Sequence, residues 1–194
     1  MTQTQTESSS RIGRWMLGIS GVLATTAVLV AGLVWWQHDW GDPFPTLDTE
    51  QLDEQQLALV EVLRREYENP GEGTKYAEGV EEAWCADFVS WTMREAGRPL
   101  ANPNSGSWRI PGVYTLQEYY QQVGRFTRPD LGYRPRAGDV VLYGPDSPMG
   151  QHTNIVLKVE DGKITTIGGN EMGSIRVRTI DPAETADLVG YGRF

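Results

Sequence analysis

Between Trp15 and Trp36 the chain carries no charged residue, and this run constrains the rest of the architecture. Its 22 residues, wound as a helix at 1.5 Å per residue, match the ~30 Å hydrocarbon core of a bilayer. Trp15, Trp35 and Trp36 stand at its two ends, where interfacial aromatics settle. Arg11 and Arg14 lie just before the run, and no Lys or Arg follows until Arg64. The positive-inside rule then predicts a cytoplasmic tail over 1–14, a transmembrane signal anchor over 15–36, and all later residues outside the cytoplasm. A cleaved signal peptide is the competing reading. Against it, the run exceeds the usual apolar core of a signal sequence and ends in Leu-Val-Trp-Trp, not a small-residue cleavage site. The first ten residues are polar and read as disordered.

Residues 37–47 read as a stiff linker, since Pro43 and Pro45 forbid a regular helix there. The expected globular domain is 48–194. The chain has 17 basic and 26 acidic residues, a formal charge of −9. Setting aside Glu7, Arg11 and Arg14 leaves 15 basic and 25 acidic residues, or −10, for the part beyond the anchor. No nucleic-acid partner is expected, because phosphate recognition needs clustered Lys and Arg. The charge equally disfavours docking on anionic lipid. A single cysteine excludes an internal disulfide and a cysteine-based zinc site, and two histidines make a His-rich metal site unlikely to assemble. No metal or cofactor is expected.

Apolar spacing predicts helices over 51–67, 84–96 and 114–123, with Thr46, Asp48 and Thr49 as possible caps of the first and Gly97 stopping the second. After Pro135 the pattern shortens. Val140–Tyr143, His152–Val159, Lys163–Gly168, Ser174–Ile180 and Leu188–Phe194 read as strands. Helices followed by strands predict an α+β fold, with helices packed on a mostly antiparallel sheet.

Cys85 falls at the start of the second helix, where free N–H groups and the helix dipole favour thiolate, the nucleophilic form. Its bland alternative is a small buried hydrophobe. A thiol nucleophile needs a base, and His152 is the histidine inside the domain, since His38 sits in the linker. A three-residue hairpin loop (160–162) pairs 159 with 163 and sets Asn170 opposite His152 on one face. A two-residue turn turns Asn170 away. The three-residue loop is the expectation, giving the candidate set Cys85, His152 and Asn170. Asp87 points elsewhere on its helix and is expected to meet solvent or backbone. Trp108, Tyr114, Tyr119 and Tyr120 are candidates for a sugar-stacking surface or for packing.

The segment Trp84-Cys-Ala-Asp-Phe-Val-Ser-Trp91, the run Pro135-Arg-Ala-Gly-Asp-Val140 and the hairpin from His152 to Asn170 resemble the CHAP family. The family is papain-like: cysteine, histidine-dependent amidohydrolases and peptidases acting on bacterial peptidoglycan. The resemblance implies Cys85 as nucleophile, His152 as base and Asn170 as the third residue. It implies amide cleavage through a thioester, by an amidase or an endopeptidase, without a cofactor. Two positions depart from the pattern. Gly168 stands where the family commonly has Glu, and Gln151 where it commonly has Gly. Glu171 is a nearby carboxylate, but the expected register turns it away from His152. A degenerate module that binds wall or a membrane-complex partner without cleaving is the alternative implied by Gly168.

Overall fold

The computed structural model describes residues 42–194. The tail and the apolar run expected at 1–36 lie outside the described residues, as does the start of the linker. No helix among the described residues is long and apolar enough to cross a membrane. The domain begins earlier than position 48. Asp42 N donates to the Val177 carbonyl at 2.9 Å, and Phe44 and Leu47 pack against the core, so the second half of the expected linker belongs to the folded unit.

Among the described residues, four α-helices precede the strands: α1 (Glu54–Glu68), α2 (Gly73–Tyr76), α3 (Cys85–Glu95) and α4 (Val113–Gln122). The start of α1 is set by Asp53, not by the caps expected from the sequence. Asp53 Oδ1 accepts from Gln56 N at 2.8 Å, while Asp53 N donates to Gln56 Oε1 at 3.0 Å, a reciprocal box that satisfies two orphan donors. Asp48 instead caps a single 3-10 turn over Thr49–Gln51. Gly97, at φ +78°, ends α3 as expected, with Arg98 N reaching back to the Met93 carbonyl at 2.8 Å.

The strands are β1 (Phe126–Thr127), β2 (Val140–Tyr143), β3 (His152–Glu160), β4 (Lys163–Glu171), β5 (Ser174–Ile180) and β6 (Leu188–Gly192). They form one antiparallel sheet in the order β1-β6-β2-β3-β4-β5. The helices cover one face, where Leu59, Leu63, Phe88 and Val89 meet Val140, Leu142, Ile155, Leu157 and Ile167. A smaller cluster of Val141, Tyr143, Val156, Ile164 and Tyr191 lies on the other face. β2 is therefore buried on both sides, which explains its unbroken apolar run where a half-exposed strand would alternate.

The β3–β4 hairpin corrects the expected loop. Glu160 pairs with Lys163 across a two-residue turn, with Asp161 at φ +50° and Gly162 at φ +78°. Both central residues are left-handed, the conformation of the tight hairpin turn that Asp-Gly favours. The register then slips by one between Val156 and Lys158, through a β-bulge on β3. Beyond that slip Ile155 faces Ile167, the same frame that a three-residue loop would have produced.

Candidate active site

Cys85 is the first residue of α3. Its cap residue, Trp84, offers no side-chain hydrogen bond to the first-turn N–H groups of α3. Trp84 is fixed by stacking on Tyr76 at 5.1 Å between ring centroids. The sheet comes close beneath it because β4 has glycine at 169. A Cβ there would overlap the Trp84 ring and lie 2.6 Å from Phe88 Cβ.

His152 opens β3, pairs across to Tyr143 of β2, and stacks on that ring at 6.2 Å. The structure brings Cys85 and His152 into range of each other, so that the thiol acts on the charge of the ring, and both residues are almost wholly buried, at 6% and 5% exposure. The second contact of His152 is Glu171. His152 Nε2 lies 3.6 Å from Glu171 Oε1 and makes no hydrogen bond among the described residues. Burial pulls the imidazole pKa down, but the neighbouring Cys85 thiol and Glu171 carboxylate outweigh it and raise the ring to about 9. For Glu171, burial works upward, yet His152 and Arg178 hold the carboxyl below the usual range.

No hydrogen bond joins Asn170 to His152 among the described residues. The β4–β5 register runs regularly to Gly168↔Arg176 and resumes at Glu171↔Ser174, one residue out of step. Asn170 sits within that irregularity at φ +60°, a conformation Asn tolerates better than most residues. The extra residue reverses the alternation of side chains, so Glu171, expected to point away, is the residue turned toward His152.

Three further residues escaped sequence reasoning. Asn154 is fully buried and donates from Nδ2 to Thr166 Oγ1 at 3.1 Å and to Glu171 Oε1 at 3.2 Å. Arg178 Nε donates to Glu171 Oε2. Tyr143 packs the far side of the His152 ring. Strand alternation carried a signal for two of them, since 152 and 154 share a face, and Arg178 pairs with Thr166 across β4–β5.

Asp87 also differs from expectation. It is fully buried, and Arg109 Nε donates to its Oδ1 at 2.8 Å while Arg109 also reaches Glu82. The reason is the 98–110 loop, which folds back over the start of α3 and excludes solvent there. Burial pushes the Asp87 carboxyl up, against the opposing Arg109 charge, to about 6. Among the aromatic candidates, Tyr120 is core, Tyr119 packs edge-on to it at 5.1 Å, and Trp108 lies under the Arg94 guanidinium at 3.9 Å. Tyr114 alone of the four is well exposed, at 61%. No cluster of three or more His, Cys, Asp or Glu among the described residues could hold a metal ion.

Comparison with curated proteins returned no match. Among solved structures, the chain is similar to the crystal structure of Ly7917 with the hydrolyzing product of MDP, at 18% identity and a TM-score of 0.45, covering 70% of this chain and 61% of that one. It is similar also to the crystal structure of Ly7917, at 16% identity and a TM-score of 0.48, covering 70% and 60%. The chain thus spans about three-fifths of the length of those proteins. Residues 75–170, which include both Cys85 and His152 and end one residue before Glu171, match the family model of the CHAP domain.

Proposed function

We propose that this chain is a cysteine hydrolase that cleaves an amide bond of peptidoglycan, with Cys85 as nucleophile and His152 as base. The observation that carries this reading is the burial of Cys85, at the start of α3, beside His152, whose imidazole Cys85 and Glu171 raise to about 9. A ring that keeps its proton at neutral pH favours the thiolate beside it. The match of residues 75–170 to the CHAP domain supports the substrate class.

The chemistry proceeds by acyl transfer. The Cys85 thiolate attacks the amide carbonyl carbon, and the carbonyl electron pair moves onto oxygen. The Cys85 N–H, at the N-terminus of α3, stabilises that oxyanion. As the tetrahedral intermediate collapses, the C–N bond breaks and His152 gives its proton to the leaving amine. Water then enters, His152 takes a proton from it, and the thioester is hydrolysed to a carboxylic acid and the free thiol. The scissile bond is either the sugar–peptide amide, making an amidase, or a peptide bond of the stem or cross-bridge, making an endopeptidase.

The same reading sets the domain outside the cytoplasm on a membrane anchor formed by 15–36, in reach of the wall. Such tethering suits local cleavage, in wall remodelling or in opening a passage for a membrane complex. The deciding experiment compares the full chain with its Cys85→Ala form on defined peptidoglycan, with products read by mass spectrometry. Product release by the wild type alone is expected, and product masses assign the bond. Equal release by both proteins rejects Cys85 as nucleophile. Wall binding without release by either identifies a non-cleaving module.

A further inference from the structure

We propose that Glu171, not Asn170, is the positioning residue for the His152 ring, a carboxylate delivered to the site by a one-residue bulge in β4. The proposal rests on the reading of Cys85 and His152 as nucleophile and base.

An imidazole that serves a thiol with one nitrogen must be held by the other, or it rotates between useful and useless orientations. Here Nε2 is the nitrogen turned to Glu171, at 3.6 Å, which leaves Nδ1 for the thiol. The carboxylate is itself held from two sides. Asn154 donates to Oε1 and Arg178 to Oε2, so both oxygens are committed and the group stays ionised. Asn154 is in turn anchored on Thr166. The chain His152–Glu171–Arg178 runs from the buried site to the half-exposed edge of the sheet, where Arg178 keeps 39% of its side chain in solvent.

Gly168 is the counterpart of this arrangement. A Cβ at 168 would overlap Asn154 Oδ1 and lie 2.9 Å from Glu171 Oε1. A side chain at 168 would therefore have to displace the Asn154 amide and crowd the observed carboxylate from 171. The glycine that looks like the loss of an acid is the space into which another acid enters. Asn170 contributes through its backbone. At φ +60° it absorbs the extra residue that brings Glu171 round to the His152 face.

The two assignments separate cleanly in variants of the full chain. Glycine takes a left-handed φ without strain, so Asn170→Gly keeps the bulge and deletes only the side chain. Glu171→Gln keeps the shape and hydrogen-bonding capacity but deletes the charge. The readout that a merely structural role would not move is the NMR titration of His152, resolved from His38, the only other histidine. Glu171→Gln is expected to lower the His152 midpoint by at least about one pH unit. The alkaline limb of kcat/KM should move down with it, and kcat should fall at least about tenfold with KM nearly unchanged. Asn170→Gly is expected to leave the titration in place and to cost less than about threefold in kcat. Glu171→Asp, which retains the charge but withdraws it by one methylene, should fall between, and it serves if the Gln form does not fold. A His152 titration unmoved in the folded Glu171 variants overturns the proposal. So does loss of activity in Asn170→Gly alongside an active Glu171→Gln. Should Cys85→Ala release the same products as wild type, the nucleophile assignment fails, while the titration still judges the Glu171 contact.

Discussion

Gly169 governs how near the nucleophile's helix comes to the sheet. Its missing side chain is replaced by the Trp84 ring and the Phe88 Cβ, the residues on either side of the Cys85 turn. Gly169→Ala should therefore act as overpacking, destabilising the fold by about 1–3 kcal/mol in urea titration. The same push separates α3 from β4, so kcat should drop more than stability alone explains. A variant with wild-type midpoint and wild-type kcat would mean that Trp84 yields freely. The His152–Glu171 pair makes a second prediction at this scale. The imidazole is raised from 6.5 to about 9 on folding, so its contribution to stability is fully present below about pH 6.5 and is lost as pH rises through about 9. Glu171 is lowered, so its contribution is present above its ordinary value and is lost as pH falls through the folded one. Asp87, raised to about 6, works in the opposite sense to Glu171: its contribution is present at low pH and lost as pH rises through about 6. The decline between about pH 7 and 9 thus belongs to His152 among these three groups. Replacing His152 with Gln should flatten that part of the stability curve, as followed by urea midpoints across pH.

At the scale of elements, the 98–110 loop is fastened to α3 by few but specific contacts. Arg109 pairs with the buried Asp87, and Ile110 N donates to Ser90 Oγ at 3.1 Å. Arg109→Gln leaves a buried carboxylate without its cation, a change that typically costs about 3–5 kcal/mol. The loss should be smaller at pH 5 than at pH 8, because without the guanidinium Asp87 rises further and is neutral in acid. Equal losses at both pH values would show that the pair contributes nothing through charge. This loop also marks the limit of what the sequence revealed. The helices α1, α3 and α4 and the strands from β2 onward follow apolar periodicity and are readable to within a few residues, whereas the four-residue α2 is too short to show a period. The bulges are not, because one inserted residue changes pairing without changing composition. At Asp161-Gly162 the expected three-residue loop is a two-residue turn. A bulge beyond Val156 then restores the frame that the wrong loop would have produced. Ile155 therefore faces Ile167 in the expected frame, although the local reason differs. At Gly168-Gly169-Asn170 the second bulge has no such compensation, and Glu171 is the residue that turns to His152. Three consecutive residues that tolerate unusual backbone or close approach were the available signal, and they read as easily as a turn.

For the whole molecule, the decisive question is the side of the membrane on which the thiol works. The proposed hydrolysis needs the wall, and the wall lies outside, so topology and chemistry stand or fall together. The proposed outward orientation rests on the arginines before the uncharged run and on the lack of Lys or Arg from there to Arg64. Cys85 is the one cysteine in 194 residues, so a thiol reagent reports a single position. Its exposure is only 6%, which slows the reagent, but a thiol partnered by an imidazolium reacts well above its accessibility. A membrane-impermeant alkylating agent added to intact protoplasts should therefore label the wild type and not Cys85→Ala. Glu171→Gln, by weakening the imidazolium, should be labelled more slowly at pH 8. Labelling that appears only after lysis would place the domain in the cytoplasm, away from any peptidoglycan amide, and the wall substrate would have to be abandoned even if the thiol proved reactive.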